Sequence, residues 1–158
     1  MSRLLILTDP NEQLRQIAEP VLIEEITTPE FQTLIINMIE TMLMANGIGI
    51  AGPQIATKKR LFIGVLNNEP HVFINPEIRR ESFRKIDSEE GCLSIPGIWG
   101  IVKRHHHVTV EYFDREGKKQ KRKVKGLEGI VVQHETDHLD GILFTDKVTR
   151  FTTVPQTL

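Results

Sequence analysis

The sequence predicts an α+β fold in which mostly antiparallel sheets lie around a central helix that carries an H-E-x-x-H motif. Two observations lead to this fold class. An amphipathic helical pattern in the first third of the chain is followed by apolar runs separated by short turns, which are typical of strands. A further helical segment, with the motif at residues 134–138, follows the strands. Helices placed before and after a block of sequential strands are typical of α+β proteins.

Two helices are predicted before the strands. Residues 11–19 place apolar side chains three and four positions apart, and Pro20 ends that pattern. The second helix begins at Thr27 or Thr28, either of which can cap it, and its apolar stripe continues to Gly47. We interpret the stripe as a face that packs on the core, because this is the usual role of an amphipathic helix.

The middle of the chain predicts five strands. Four are apolar runs, at residues 60–66, 71–78, 97–104 and 108–113. We expect the first two runs to pair with each other and the last two to form a second pair. The fifth strand, residues 118–125, is polar and follows a turn at residues 114–117.

The composition predicts a single domain over residues 1–158. Charged residues make up 26% of the chain and hydrophobic residues 39%, which is ordinary for a globular protein. The formal net charge of −1 gives no global reason to expect nucleic acid or an anionic membrane as a partner. We expect residues 145–158 to be an extended tail, because they lack a helical period and contain Pro155.

The single cysteine, Cys92, excludes an intrachain disulfide and suits a reducing compartment. The N-terminal apolar run, residues 4–7, is too short for a signal peptide. No apolar run approaches the ~20 residues that a membrane span requires. We therefore expect a cytoplasmic protein with no membrane partner.

The H-E-x-x-H motif predicts a metal site. Residues four apart on a helix lie within ~40° of each other, so His134 and His138 share one face and can hold a metal ion together. Glu135 lies ~100° round from His134, which places its carboxylate beside the ion as a candidate general base.

Cys92 is the candidate for a third ligand. A lone cysteine is often a small buried hydrophobic residue, but Cys92 has polar and conformationally special neighbours in residues 89–97. A thiolate with two imidazoles leaves one coordination position open, as in catalytic rather than structural metal sites.

The glycine-rich residues 47–54 admit two interpretations. A phosphate loop is excluded, because no strand precedes the segment and no Lys-Ser/Thr pair follows it. The segment is then either a flexible connector or a place where the backbone passes close to a substrate. Gln54 adds a polar side chain at its end.

Three segments, in this order, resemble the signature motifs of the peptide deformylase family. They are residues 47–54 (GIGIAGPQ), 90–94 (EGCLS) and 133–139 (QHETDHL). The similarity extends over about residues 14–144, and the second motif is similar to the bacterial type 1 form. Many metallohydrolases share H-E-x-x-H alone, whereas the three motifs together are specific.

The resemblance implies an enzyme that removes the formyl group from the N-terminal formyl-methionine of nascent polypeptides. It implies that Cys92, His134 and His138 bind one divalent metal ion and that Glu135 is the general acid and base. Fe(II) is the metal expected from the family, with Zn(II), Ni(II) or Co(II) as substitutes.

The resemblance also implies two oxyanion donors, the side chain of Gln54 and the backbone N–H of Leu93. Five residues are candidates for binding the substrate and its methionine side chain: Ile48, Gly49, Leu127, Ile130 and Val131. Packing in the core is an alternative role for these apolar side chains, and Leu127 fits both roles equally.

Two further expectations concern the loops around the site. Gly52 stands where the family usually has alanine, so we expect a looser loop around Gln54. Opposite charge and the family pattern suggest that Glu90 pairs with Arg104 and braces the loop that carries Cys92.

The expected partners are an N-formylmethionyl peptide and, transiently, the ribosome, and the expected state is a monomer. Residues 118–125 hold six basic side chains. They form either a solvated edge strand or a contact for ribosomal RNA phosphates.

Two other functions stay open at this point. One is an H-E-x-x-H metallopeptidase, although such enzymes usually take their third ligand downstream of the motif. The other is a metal-dependent peptide-binding protein with reduced catalysis, for which Glu135 and Gln54 would be unnecessary.

Overall fold

The computed structural model describes residues 3–153, and its architecture is the α+β fold that the sequence predicts. Three α-helices are present in this part of the chain: α1 Ile23–Ile26, α2 Pro29–Met44 and α3 Gly126–Leu139. Thr28 caps α2 as expected, because its hydroxyl accepts a hydrogen bond from the N–H of Phe31 at 3.3 Å.

Eight strands form two sheets. They are β1 Gly49–Ala51, β2 Leu61–Leu66, β3 Glu69–Glu81, β4 Lys85–Cys92, β5 Ile95–His105, β6 His107–Phe113, β7 Lys119–Lys125 and β8 Val148–Phe151. The larger sheet has the order β1-β2-β3-β6-β7, and the smaller one has the order β4-β5-β8. Every strand pair in these two sheets is antiparallel, as predicted.

The five-stranded sheet is covered by α2 on one face and by α3 on the other. Alternate residues along β2 separate the two interfaces: Ile63 packs in the cluster of α2, whereas Phe62 packs in the cluster that includes Val132 of α3. On the α3 side, Gly64 allows close approach, because a Cβ there would lie 3.1 Å from Cγ1 of Val131. The helix that carries the motif is therefore held against the centre of the sheet.

A third apolar cluster joins the small sheet to the segments at both ends of the chain. Leu14, Ile95, Val102 and Phe144 are buried together in it. Phe144 of this cluster stacks on the ring of His134 with a centroid distance of 6.1 Å, so the cluster lies next to α3.

Two predictions about individual elements are wrong. The helix predicted at residues 11–19 is reduced to a 3-10 turn, Glu12–Arg15. Beyond it the backbone bonds to other segments instead of to itself: the N–H of Ala18 donates to the carbonyl of Leu139 at 2.8 Å. The predicted pairing of residues 97–104 with 108–113 does not form either.

The strands of that predicted pair belong to different sheets. β5 pairs with β4 and β8, whereas β6 pairs with β3 and β7. The polar strand β4 (KIDSEEGC) lacks the apolar run on which strand prediction depends, so its pairing with β5 was missed.

The C-terminal segment contains a 3-10 turn, Phe144–Asp146, and strand β8, which pairs with β5. Residues 154–158 of the predicted extended tail lie outside the described residues. Within residues 3–153, no helix has the length and apolar character required to cross a membrane.

Candidate metal centre

The helix α3 brings His134 and His138 together on the face that is turned away from the large sheet. Their ring centroids are 5.0 Å apart, and both side chains are buried. The one-turn spacing of the motif produces this pair directly.

Cys92 reaches the same place from the end of β4. It pairs with Ile95 across a tight hairpin whose turn is formed by Leu93 and Ser94. The sulfur lies 3.2 Å from Nε2 of His138. The candidate ligand atoms of Cys92 and the two histidines all lie within 4.8 Å of one another.

The donor set and its surroundings fit a divalent transition-metal ion. One sulfur and two imidazole nitrogens suit iron, zinc, nickel or cobalt better than the hard cations calcium and magnesium. His134 contacts Oε1 of Glu90 through Nδ1 at 2.8 Å, which leaves Nε2 for an ion. Three protein ligands also leave a position for a further group, as in catalytic sites.

A buried network of ion pairs holds Glu90, the hydrogen-bond partner of His134, in place. Arg104 donates from Nη2 to Oε1 of Glu90 at 2.8 Å and from Nε to Oε2 at 2.9 Å. The third guanidinium nitrogen, Nη1, donates to Asp137 at 2.6 Å. The sequence suggested the pairing of Glu90 with Arg104, but the link to Asp137 and to His134 depends on the fold.

These contacts set the charge of Glu90. Burial by itself raises the pKa of this carboxyl, but hydrogen bonds from Arg104 and His134 outweigh that effect and lower the pKa to about 2. Glu90 is therefore ionised at neutral pH and can hold both partners.

Glu135 occupies a different environment. Burial raises its pKa to about 7, the opposing effect of His134 being smaller. Its Oε2 atom is buried and has no hydrogen-bond partner among the described residues. Gly49 leaves room for this carboxylate, because a Cβ there would lie 2.2 Å from Oε1 of Glu135 and would require that side chain to shift.

Gln54 is oriented by two hydrogen bonds. Its Oε1 accepts from the N–H of Ala51 at 2.8 Å, which fixes the amide nitrogen on the opposite side. The nitrogen Nε2 donates to Oγ of Ser94 at 3.0 Å and approaches the sulfur of Cys92 at 3.6 Å. Its N–H donors therefore face the metal-site cluster.

The loop before Gln54 is tighter than the sequence suggested. Gly52 is buried, and a Cβ at this position would lie 2.4 Å from the carbonyl oxygen of Lys59. The glycine thus permits a close backbone contact, and the expectation of a looser loop is wrong.

A cavity of about 520 Å³ opens beside the cluster. Gln54, Cys92, Leu93, His134 and Glu135 line it, so the residues that carry the two predicted oxyanion donors and the predicted base border the same space. All five residues predicted to bind the substrate line it as well: Ile48, Gly49, Leu127, Ile130 and Val131.

Exposure differs among these five residues in a way that bears on their role. Ile48 and Leu127 are 46% and 63% exposed, so neither side chain is a core residue. Val131 is buried and contacts the sheet at Gly64.

The sequence analysis missed Trp99, which lines the cavity and packs over Gly91. The sequence signal that could have indicated it is that Trp99 is the single tryptophan of the chain and follows Cys92 by seven residues.

The fold and the site define a class of protein before any comparison. A Cys-His-His cluster on an H-E-x-x-H helix, beside a cavity that contains a buried carboxyl and a fixed amide, is the arrangement of a metal-dependent hydrolase.

Comparison with known proteins identifies the family. Residues 4–154 match the model of the polypeptide deformylase family. Peptide deformylase 2 of Xanthomonas campestris is 44% identical over 149 residues, covering 92% of this chain and 87% of the relative. Peptide deformylase of Stenotrophomonas maltophilia strain K279a is 45% identical over 149 residues, with the same coverage. The chain belongs to the polypeptide deformylase family.

Solved structures agree with this assignment. Peptide deformylase from Thermotoga maritima superposes with a TM-score of 0.89 at 33% identity, covering 94% of this chain and 99% of the other. The Met-Ala-Ser-bound class I type b peptide deformylase from Acinetobacter baumannii superposes with a TM-score of 0.90 at 34% identity, covering 93% and 99%.

Proposed function

We propose that this protein removes the N-terminal formyl group from formyl-methionyl nascent polypeptides. The observation that carries the proposal is the convergence of a Cys-His-His cluster, a buried carboxyl and a fixed amide donor on one cavity. Membership of the polypeptide deformylase family supports this reaction over other metal-dependent hydrolyses.

Cys92, His134 and His138 would hold one divalent ion, for which we propose Fe(II), with Zn(II), Ni(II) or Co(II) as substitutes. When bound, such an ion supplies Lewis acidity and makes water a better nucleophile at neutral pH. Glu90 and Arg104 fix the ring of His134, because their hydrogen bonds hold Nδ1 away from the cavity.

The roles of the other polar groups follow from their positions. Glu135 takes a proton from the attacking water and returns it to the amine that leaves. The amide N–H of Gln54 and the backbone N–H of Leu93 stabilise the negative charge that develops on the formyl oxygen. Gln54 is suited to this task because the bond to Ala51 holds its donor in place before the substrate arrives.

The substrate's methionine side chain occupies the apolar part of the cavity. Ile48, Leu127, Ile130 and Val131 provide the apolar contacts, and the backbone at Gly49 lies against Glu135. The half-exposed Ile48 and Leu127 would lose water on substrate binding, which favours an apolar side chain at this position.

We also propose an oligomeric state and a cellular location. The chain acts as a single domain and a monomer in the cytoplasm, where nascent polypeptides are made, and it meets the ribosome transiently. The lone free cysteine suits that reducing compartment.

The decisive experiment is a deformylation assay on formyl-Met-Ala-Ser under anaerobic conditions, with the protein loaded with Fe(II) or Ni(II) and its metal content measured. We expect formate release that stops on chelation and returns with metal. A fully metallated protein that binds the peptide without turnover would support the binding-protein alternative instead.

An unformylated peptide distinguishes the proposed deformylase from the metallopeptidase alternative. An H-E-x-x-H peptidase would cleave an unformylated peptide internally, whereas the proposed enzyme leaves Met-Ala-Ser intact. Internal cleavage without formate release would replace the proposed function with peptidase activity.

A further inference from the structure

A fully exposed aromatic side chain projects from the loop between β3 and β4. Phe83 lies between Glu81, the last residue of β3, and Lys85, the first residue of β4, and its side chain is completely accessible. Phe83 belongs to none of the three apolar clusters of the fold. Burying a phenylalanine side chain stabilises a fold, so the full exposure of Phe83 indicates a role other than packing.

The loop is held rigidly although its tip is exposed. The N–H of Ser82 donates to the carbonyl of His107 at 3.0 Å, and the N–H of His107 returns a bond to the hydroxyl of Ser82 at 3.2 Å. The hydroxyl of Ser82 donates to the carbonyl of Arg84 at 2.7 Å, which also accepts from the N–H of His106 at 2.9 Å. Phe83 is therefore presented by a preorganised turn.

Several cationic residues are close to this turn in the sequence or in the strand register. Five exposed basic residues, which we call the basic face, lie on the turn or on strands paired beside it: Arg80, Arg84, Lys85, Lys123 and Lys125. Lys125 is the cross-strand partner of His107, and Thr109 lies between Lys123 and Arg80 in the register. Within residues 3–153, none of the five forms an ion pair.

One neighbouring carboxylate, Glu111, already has cationic partners, whereas Glu81 faces only a histidine ring. Glu81 contacts Nε2 of His105 at 3.2 Å, and Glu111 is bound by Arg79, Lys119 and Lys121. The pKa of His107 is lowered by desolvation and then by the charges of Lys123, His106 and Lys125. Both observations indicate a local excess of positive charge, although the chain as a whole carries −1.

We propose that Phe83 and the basic face bind single-stranded RNA, with a base stacked on the phenyl ring and phosphates on the five cations. An exposed aromatic ring beside unpaired cations is the arrangement that proteins use for unpaired nucleic acid. An anionic membrane is a poorer fit, because Ser82, Arg84 and Lys85 beside the ring provide no apolar area for insertion. RNA binding at this surface would be an activity additional to the proposed deformylation.

The surface is separate from the catalytic cavity. Strand β4 runs from Lys85, beside the turn, to Cys92, which at ~3.3 Å per residue is a distance of ~23 Å. Substitutions at Phe83 or Lys123 should therefore leave formyl-Met-Ala-Ser turnover unchanged. Failure of RNA binding would not affect the proposed function, and an inactive enzyme could still bind RNA.

The test is fluorescence anisotropy of the metal-loaded protein with a labelled oligoadenylate of ~12 nucleotides, titrated at several salt concentrations. Phe83→Ala should weaken binding about fivefold or more, Phe83→Trp should retain it, and Phe83→Leu should behave like alanine because it lacks a ring. The matched aromatic control is Phe151→Ala, a half-exposed side chain on β8.

The contribution of the cations to RNA binding is measured separately, from its salt dependence. Lys123→Gln should reduce the slope of log K against log salt by ~0.7, whereas Lys58→Gln, the same charge change at another exposed site, should not. Inorganic polyphosphate serves as a phosphate-only probe, and its binding should not respond to Phe83→Ala. The proposal is overturned if oligoadenylate binding is insensitive to Phe83, or if vesicles rich in anionic lipid bind through Phe83 while the RNA does not.

Discussion

Arg104 and Glu90 form a buried, two-pronged ion pair, with side chains only 3% and 4% exposed. The pair connects strands β4 and β5 to the metal-site helix, because Glu90 also contacts His134 and Arg104 also contacts Asp137. A guanidinium is suited to this place, since its planar fork bonds both carboxylates at once.

Arg104→Ala is expected to destabilise the protein by about 3–5 kcal/mol, because it leaves Glu90 buried without its counterion and removes one of the two cations that bind Asp137. It should also weaken metal affinity about 10–100-fold through the loosened ring of His134. Urea unfolding and competitive chelation measure the two effects. Arg79→Ala, which breaks an exposed pair with Glu111, is the control and should change stability by less than about 1 kcal/mol. Unchanged metal affinity in the Arg104 variant would contradict the bracing role.

Glu135→Gln is expected to retain the metal and to reduce kcat by about 10²–10⁴, because the amide cannot transfer the proton. Elemental analysis and steady-state kinetics provide the two measurements. Glu128→Gln, on the first turn of the same helix and outside the cavity, should leave kcat unchanged. A Glu135 variant with normal kcat would remove this residue from the mechanism.

Gln54→Leu is expected to lower kcat about 10²–10³-fold with little change in KM, because the lost donor acts on charge that develops only in the transition state. Ser94→Ala removes the other polar partner of Gln54 Nε2 but keeps the amide donor, so it should have a much smaller effect. Equal losses in the two variants would mean that Gln54 only supports the loop.

Gly52→Ala is expected to destabilise the protein by about 1–3 kcal/mol, since the added Cβ would meet the backbone oxygen of Lys59. Thermal unfolding measures this. Gly47→Ala is the comparison: its Cβ would meet the side chain of Leu93, which can move aside, so the loss should be smaller. If Gly52→Ala were the milder change, the close backbone contact would not be a constraint.

Asp114 anchors the turn between β6 and β7, where Oδ1 accepts from the N–H groups of Glu116 and Lys118 at 3.0 and 2.9 Å. Burial raises the pKa of Asp114, but these bonds and one from Gln120 outweigh it and lower the pKa below the usual 3.8. A lowered pKa stabilises the fold above pH ~4, and that contribution is lost as pH falls through the folded-state value.

Asp114→Ala should therefore lose about 1 kcal/mol at pH 7 and less at pH ~3, where the unfolded-state carboxyl is already largely protonated. Urea unfolding at the two pH values is the measurement. Asp87→Ala, which breaks an exposed pair with Lys103, is the control. An Asp114 effect that is equal at both pH values would exclude its charge as the cause.

Local sequence patterns were sufficient for the elements whose contacts are close in the chain. The cap at Thr28, the stripe of α2 and the pairing of His134 with His138 all follow from residues within one or two helical turns. The antiparallel character of the sheets and the strands β2, β3, β6 and β7 follow from apolar alternation and turn residues.

Two elements were predicted wrongly, for different reasons. Strand β4 is polar, so we predicted that its partner β5 would pair with β6. The short helix expected at residues 11–19 was overridden by backbone bonds to Leu139 and Lys58. At residues 11–19, tertiary hydrogen bonds outweighed a weak local preference, whereas β4 was missed because its sequence lacks an apolar pattern.

The sequence by itself determined the family resemblance and the candidate chemistry: two imidazoles, a thiol, a carboxyl and an amide in three separated motifs. Only the tertiary structure decided that these groups converge within a few ångströms, that Asp137 completes the ionic network, and that Gly52 is required by the backbone at Lys59. The physical reason is that periodicity reports only the environment of neighbouring residues. Contacts across 40 or more positions, such as Glu90 to His134 at a separation of 44, depend on how all the elements pack together.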